Sequence, residues 1–254
     1  MNNSDLVSII IPVYNCEKYI AEAIKSVKEQ EYQKWELIIV NDKSTDNSIN
    51  IIKEEIKEIK QDVILIDSPK NYGTAISRNI ALNNAKGRYI AYLDADDIWE
   101  KQKLREQINF MKTNNIAFSY TDYTRINEKG TTLKKVVVPK VITYNTLLKN
   151  AMILTSTIII NTELINKEML VMPELKTSED TETWLNILKT GIIAKGLNKN
   201  LTKYRKRRNS ASSNKLLVAK ELWNVYRKYQ SISRIKSTYY IILHMLNAAK
   251  KRIV

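Results

Sequence analysis

Three carboxylates stand almost side by side in this chain. Asp94, Asp96 and Asp97 follow directly on Tyr89-Ile-Ala-Tyr-Leu93, five mostly apolar residues that read as a buried strand. Buried parallel strands end at the crevice where ligands bind, so this sequence sets acidic oxygens at the mouth of a site. Carboxylates packed that closely repel one another unless a positive group sits among them. A hard divalent cation, Mn²⁺ or Mg²⁺, shared with a substrate diphosphate would supply it. On these residues alone a second reading stays open. Asp96 and Asp97 precede a helical-looking stretch, Ile98 to Asn114, and would favour its positive end.

A second acidic pair, Glu179-Asp180, opens another helical stretch that carries Thr183 to Leu188. A carboxylate at such a place can take a proton from an attacking hydroxyl if it is partly desolvated. The plain structural reading is a helix start, with Ser178 as the cap. Trp184 lies one turn beyond Asp180 on the same face, where it either faces the site or fills the core. Arginines close the list: Tyr204-Arg-Lys-Arg-Arg208 suits phosphate oxygens. His244, the only histidine, sits among Ile241, Ile242 and Leu246 and reads as structural. Nothing marks Cys16, the only cysteine, as reactive.

Those groups need a scaffold, and the first hundred residues spell one. Leu6 to Val13, Trp35 to Val40, Val63 to Ile66 and Tyr89 to Leu93 are short strands rich in Val and Ile. Helical stretches separate them: one with Ile20, Ala23, Ile24 and Val27 on a face, then Ser48 to Lys60, then Thr74 to Ala85. Alternation of this kind makes a parallel sheet with helices on both faces, and three strands end in polar loops on one edge. No Gly-x-Gly-x-x-Gly or Walker loop is present, so something other than glycine must hold phosphates. Beyond Ile116 the pattern is more β-like: Ile116 to Tyr123 pairs with Thr131 to Val138 around Glu128-Lys129-Gly130, and Thr155 to Ile160 is a further strand. Leu216 to Tyr229 and Ser237 to Ala249 read as C-terminal helices.

At 254 residues the chain can bury one large core. The net charge of +14 is concentrated: residues 195–254 hold 16 Lys and Arg against one acid, Glu221, while the rest is near neutral. Such a patch suits an anionic membrane face or nucleic acid. The polar start Met1 to Asp5 lacks the regions of a signal peptide, and no apolar run is long enough to cross a bilayer. A cytoplasmic protein is expected.

Five ordered motifs carry a resemblance. They are Val7-Ser-Ile-Ile-Ile-Pro-Val-Tyr-Asn15, Asn41-Asp-Lys-Ser-Thr-Asp46, Gly73-Thr-Ala-Ile-Ser-Arg-Asn79, Asp94-Ala-Asp-Asp97, and Glu179-Asp180 with Trp184 and the later Tyr204-Arg205, Ser210 and Ser212. In that order they resemble family 2 glycosyltransferases, and most closely the bacterial enzymes that build teichuronic acid, capsule and lipopolysaccharide side chains. The resemblance implies a Rossmann-like GT-A fold of the α/β class, with a central mostly parallel sheet, helices on both faces and C-terminal helices. It divides residues 1–214 into a nucleotide-binding part (about 1–97) and an acceptor-binding part (about 98–214), followed by a basic helical tail at 215–254.

By position, the resemblance implies that Pro12, Val13 and Tyr14 wall the base and that Asp42 hydrogen-bonds a uracil edge. Gly73 and Arg78 would lie near base and ribose. Asp94 would contact the ribose and Asp96 the metal, with Asn15 and Ala95 completing the donor set. Asp180 would be the general base, and Glu179 and Trp184 would face the acceptor, Glu179 with the alternative of capping only. Arg205, Arg207 and Ser210 would sit on a loop that closes over the donor. Two positions depart from the family's habit: Asn41 where a second Asp is common, and Arg207 where His is common. Neither removes a catalytic group.

The implied activity is inverting, metal-dependent hexosyl transfer from a nucleotide-diphosphate sugar, probed first as a UDP-sugar. The acceptor would be a glycan or lipid-linked oligosaccharide at the inner face of the cell membrane, with the basic tail on anionic lipid and no nucleic acid bound. Two other classes remain in view: a nucleic-acid-binding protein using the tail, and a sugar nucleotidyltransferase. The latter expects a Gly-rich basic loop after the first strand, where this chain has Val13-Tyr-Asn-Cys-Glu17.

Overall fold

The computed structural model describes residues 5–150, 153–207 and 215–253. The first half runs β1 (Val7–Val13), α1 (Ile20–Lys28), β2 (Trp35–Asn41), α2 (Ser48–Glu55), β3 (Val63–Asp67), α3 (Thr74–Asn84) and β4 (Tyr89–Tyr92). The second runs β5 (Ile98–Trp99), α4 (Lys103–Thr113), β6 (Phe118–Ile126), β7 (Thr132–Val136), β8 (Val141–Ile142), α5 (Tyr144–Lys149), β9 (Ile159–Asn161), α6 (Glu179–Lys189), β10 (Ala194–Arg205), α7 (Lys215–Asn224) and α8 (Arg234–Ile253).

The strands form one mixed sheet in the order β3-β2-β1-β4-β9-β6-β10-β5, with β7 on β6 and β8 on β10. Strands β3, β2, β1 and β4 are all parallel, as the βα alternation requires. Parallel pairing stops there: β9 runs antiparallel to both β4 and β6, and β10 runs parallel to β6. The sheet is therefore parallel in the first half of the chain and mixed beyond it.

Side chains alternate across the sheet with period two. Ile9, Ile11 and Val13 of β1 pack with α1 and α4 on one face, while Ile10 packs with α3 on the other. That second face also holds α5, α6 and the C-terminal helices. Leu222, Val225 and Tyr226 join its core, and the Tyr226 hydroxyl donates to the Leu148 carbonyl at 3.0 Å.

Several elements differ from the sequence reading. The helix after the acidic turn starts at Lys103, because Ile98 and Trp99 first pair with β10 as β5. Asp96 and Asp97 are thus no N-cap. Thr155–Thr157 is a 3-10 turn, and only Ile159–Asn161 continue as strand. The helix α7 ends at Asn224 and widens into a single π turn, Val225–Tyr229, while α8 begins at Arg234. Strand β10 is the element the sequence hid. Its residues Ala-Lys-Gly-Leu-Asn-Lys-Asn-Leu-Thr-Lys-Tyr-Arg are too polar to announce a strand, yet neighbours on both sides pair it.

Candidate active site

The C-terminal ends of β1 and β4 open into a cleft of about 630 Å³. Pro12, Tyr14, Asn15, Arg78, Asp94, Ala95 and Asp96 form one wall, and Thr155, Lys176, Ser178, Glu179 and Asp180 face them. A cavity of that size is in the usual range for small-molecule sites. Tyr204, Arg205 and Arg207 close a third side from the end of β10.

The first wall is set by two loops zipped together. Asn15, at the left-handed φ of 47°, accepts from the Thr45 N–H at 2.8 Å, and its own N–H donates to Ser44 Oγ at 3.0 Å. The Cys16 N–H donates to Ser48 Oγ at 2.8 Å, and the Glu17 N–H to Asp46 Oδ2 at 3.0 Å. The polar residues after β2 therefore hold the loop after β1 in shape. Asp42 is 2% exposed and lies behind the cleft. Its two oxygens accept from the Tyr72 and Gly73 N–H groups at 2.7 and 2.8 Å. Gly73, at φ 91°, makes the turn into α3 that few other residues could make. Val13 is a correction: on β1 it alternates away from the cleft, and its side chain lies in the core with Ile9 and Ile11.

Four carboxylates, Asp94, Asp96, Glu179 and Asp180, line the cleft together with three arginines, Arg78, Arg205 and Arg207. Arg78 is buried and bridges Asp94 at 2.7 Å and Glu179 at 3.0 Å. Burial works against its charge, but Asp94 and Glu179 more than reverse that and hold it firmly protonated. Burial also pushes the Glu179 carboxyl up to about 7, against the pull of Arg78. Arg207 Nε pairs with Asp96 Oδ2 at 2.5 Å. Burial raises Asp96 above the ordinary carboxylate range, and Arg207 draws it back. Asp97 is fully buried, and burial together with the charges of Asp96 and Asp94 lifts its carboxyl far above that range. It accepts from Ser156 Oγ at 2.6 Å and from the Arg205 N–H at 2.9 Å.

Asp180 sits at the head of α6. Its Oδ1 accepts from the Thr181 N–H at 2.6 Å, and its Oδ2 accepts from the Thr155 hydroxyl at 2.7 Å. Ser178 does not cap this helix: it adopts a left-handed φ of 67° and its side chain makes no capping bond. Glu179 does not cap either, since its carboxylate goes to Arg78.

Two further expectations are corrected. Trp184 is 1% exposed and packs edge-on against Tyr92 and Phe118, at ring distances of 5.8 and 5.4 Å. No face of it is left for a sugar. Arg205 ends strand β10 rather than riding a closing loop. Its guanidinium donates to the Asp96 and Glu128 carbonyls, pairs with Glu22 at 2.7 Å and lies over the Tyr19 ring. Arg205 braces the acidic turn through the Asp96 carbonyl and the Asp97 carboxylate. Ser210 lies outside the described residues. Burial pushes the Cys16 thiol up to about 11, which makes it a poor nucleophile.

Sequence reasoning missed Thr155 and Ser156, although the signal was there. Three hydroxyl residues, Thr155-Ser156-Thr157, interrupt an apolar run from Met152 to Ile160. Hydroxyls in a run that must be buried need partners, and here the partners are Asp180, Asp97 and the turn itself.

Residues 8–169 match the sequence profile of Glycosyl transferase family 2. The chain is 40% identical over 252 residues to a "Putative teichuronic acid biosynthesis glycosyltransferase TuaG" of Bacillus subtilis, covering 99% of each protein. It is 38% identical over 250 residues to "UDP-Glc:alpha-D-GlcNAc-diphosphoundecaprenol beta-1,3-glucosyltransferase WfgD" of Escherichia coli, covering 97% of this chain and 94% of that one. Among solved structures, S. aureus TarS 1-349 in complex with UDP-GlcNAc superposes with a TM-score of 0.72 at 23% identity, over 87% of this chain and 64% of TarS. A mannosyltransferase from Pyrobaculum calidifontis, bound to GDP-Man and Mn²⁺, gives 0.69 at 17% identity, over 93% and 68%. Those two likenesses speak for the GT-A fold. With the profile match and the full-length relatives, the chain belongs to glycosyl transferase family 2 and is a glycosyltransferase that takes its sugar from a nucleotide-diphosphate donor.

Proposed function

We propose that this enzyme transfers a hexose from a UDP-sugar, with inversion, to the terminal sugar of a glycan carried on a lipid diphosphate. The observation that carries the reading is that one cleft is lined both by Asp94 and Asp96, after β4, and by Glu179 and Asp180, at the head of α6. Asp94 and Asp96 stand at the end of β4, where the parallel sheet opens toward a nucleotide. Asp180, at the head of α6, is fixed by Thr155 and its own helix and keeps a lone pair of Oδ2 for the proton of an acceptor hydroxyl. Attack from the Asp180 side on a sugar whose diphosphate leaves toward Asp96 inverts the anomeric carbon. Lipid-linked acceptors are supported by the Escherichia coli relative, which is named for a diphosphoundecaprenol acceptor.

The donor side fits a divalent cation. Asp96 presents a hard oxygen that already draws in a positive group, Arg207. No cluster of three or more Asp, Glu, His or Cys side chains able to hold a metal occurs among the described residues. Such a site suits Mn²⁺ or Mg²⁺ held by one or two carboxylates and completed by diphosphate oxygens and water. Asp96, with Asp94 beside it, would hold the ion, which when bound neutralises charge on the departing diphosphate. Arg207 faces the same place and is free to turn from Asp96 to a phosphate oxygen. Tyr14, half exposed at the rim, offers a ring to the base.

The surface of α8 supports placement at an anionic membrane. Ile235, Tyr239, Ile242 and Leu246 recur at helical spacing and are all more than half exposed, and Met245 joins them. Arg234, Lys236, Lys250, Lys251 and Arg252 flank that stripe in sequence. An apolar face edged with cations is the pattern of a helix lying in a lipid interface. No helix among the described residues is long and apolar enough to cross a membrane.

The test is turnover. UDP release is followed with a panel of UDP-sugars and a synthetic GlcNAc-diphospho-lipid acceptor, with Mn²⁺ or with EDTA. The reading expects one UDP-sugar to give acceptor-dependent release that EDTA stops. Failure of every nucleotide sugar would overturn it. Cosedimentation with vesicles containing phosphatidylglycerol, but not with phosphatidylcholine alone, checks the membrane face.

A further inference from the structure

The turn Thr155-Ser156-Thr157 touches both sides of the cleft at once. Its hydroxyls and carbonyls are buried, with all three residues no more than 3% exposed. On the donor side, Ser156 Oγ donates to Asp97 Oδ2 at 2.6 Å and accepts from the Asp94 N–H at 3.0 Å. The Ser156 carbonyl takes the Trp99 indole N–H at 2.7 Å, which ties β5 to the same point. One residue earlier, on the acceptor side, the Thr155 hydroxyl donates to Asp180 Oδ2 at 2.7 Å. Behind them the Thr157 carbonyl accepts from Gln107 Nε2 of α4 at 3.0 Å. A 3-10 turn between fixed partners on four segments has little freedom to shift.

We infer that Thr155 is a positioning residue for the reaction, orienting the Asp180 carboxylate relative to the acidic turn that Ser156 holds. The inference rests on Asp180 being the general base. The Asp180 side chain has two torsions that swing its oxygens about the head of α6. The Thr181 N–H fixes Oδ1, and the Thr155 hydroxyl fixes Oδ2. With both held, one lone pair of Oδ2 remains for the acceptor hydroxyl. Two neighbours would pull the carboxylate elsewhere. Arg78 from α3 attracts it and Glu179 on its own helix repels it, so its direction is not set by the backbone alone. Thr155 and Ser156 are adjacent, so the distance between base and acidic turn is fixed across one peptide unit. Small displacements of a reacting group are costly in rate, which gives such a joint its value.

The probe reaction is UDP release from UDP-glucose with the synthetic GlcNAc-diphospho-lipid, measured beside calorimetric UDP binding. Thr155→Val keeps shape and removes the donor. It lowers kcat about 10- to 100-fold, the usual cost of losing a partner that orients a reacting group. UDP affinity stays as in the unaltered enzyme, and Thr155→Ser restores most of the rate. In an Asp180→Asn background, Thr155→Val causes no further loss, whereas a folding defect would persist there. An inactive Asp180→Asn with a fully active Thr155→Val overturns the inference and leaves the base assignment standing. So does a Thr155→Val whose loss adds in full to that of Asp180→Asn. An active Asp180→Asn overturns the base assignment and this inference with it.

Discussion

Asp42 and Asp180 are both aspartates beside the same cleft, and the chain treats them in opposite ways. Asp42 is buried, and backbone N–H groups from one turn occupy both its oxygens. It shapes the entry to α3, and its charge serves that geometry. Asp180 has one backbone donor and two hydroxyl donors, Thr155 and Thr181, and it shares its surroundings with Glu179 and the Arg78 guanidinium. A carboxylate saturated by rigid donors holds a loop. One held in part by side-chain hydroxyls at the edge of the cleft keeps a lone pair that an acceptor hydroxyl can reach. The comparison extends to the other acids: Asp97, like Asp42, is buried and accepts from a backbone N–H, whereas Asp94, Asp96 and Glu179 pair with arginines at the cleft.

Substitutions at four positions break or sharpen that contrast. Asp180→Asn has the largest effect: turnover falls about 10²- to 10⁴-fold, as for loss of a general base, with the melting temperature nearly unchanged. Steady-state rates and a thermal melt on the same sample check it. Trp184→Ala comes next and acts on stability alone. Emptying a fully buried indole between Tyr92 and Phe118 costs about 3–5 kcal/mol, read by urea unfolding. The gentler Trp184→Phe leaves the acceptor KM unchanged, which a stacking role would not allow.

Asp42→Ala strands the Tyr72 and Gly73 amides. Each orphaned buried donor costs about 1–3 kcal/mol, so the urea midpoint falls further than for Asp180→Asn while the rate falls less. That crossed pattern is the sharpest form of the comparison.

Lys103 gives the smallest and most conditional effect. It is buried among neutral partners, namely Gln107, the Thr157 carbonyl and the Trp99 ring. Burial lowers its amine to about 7 from an ordinary 10.5. Between those values the unfolded chain holds a proton that the folded chain has released, so stability rises with pH through that window. Below it the folded state must carry a buried charge. Lys103→Met removes this dependence, and urea midpoints of the two proteins from pH 6.5 to 9 check the sign.

The parallel half was legible in the sequence because strand, helix and loop alternate there with clear apolar periods. The positions of Asp94, Asp96 and Asp180 followed from the motifs, and the structure brings them to one cleft. What stayed hidden depends on partners far away along the chain. Arg205 looks like a phosphate ligand until Glu22 and the Asp96 carbonyl are seen around it. Trp184 shares a helix face with Asp180, but sheet residues from β4 and β6 cover it. Strand β10 is polar in composition and is made a strand by its neighbours. Ser178 precedes the acids as a cap would, and a left-handed turn takes its hydroxyl out of play.

The central claim is that one cleft has a donor side governed by Asp96 and an acceptor side governed by Asp180. Calorimetric titration of UDP into the unaltered protein, Asp96→Ala and Asp180→Asn, each with Mn²⁺ and with EDTA, tests it most directly. The account predicts Mn²⁺-dependent binding that Asp96→Ala abolishes and Asp180→Asn keeps. Equal UDP binding by Asp96→Ala, or loss of binding in Asp180→Asn, would contradict it.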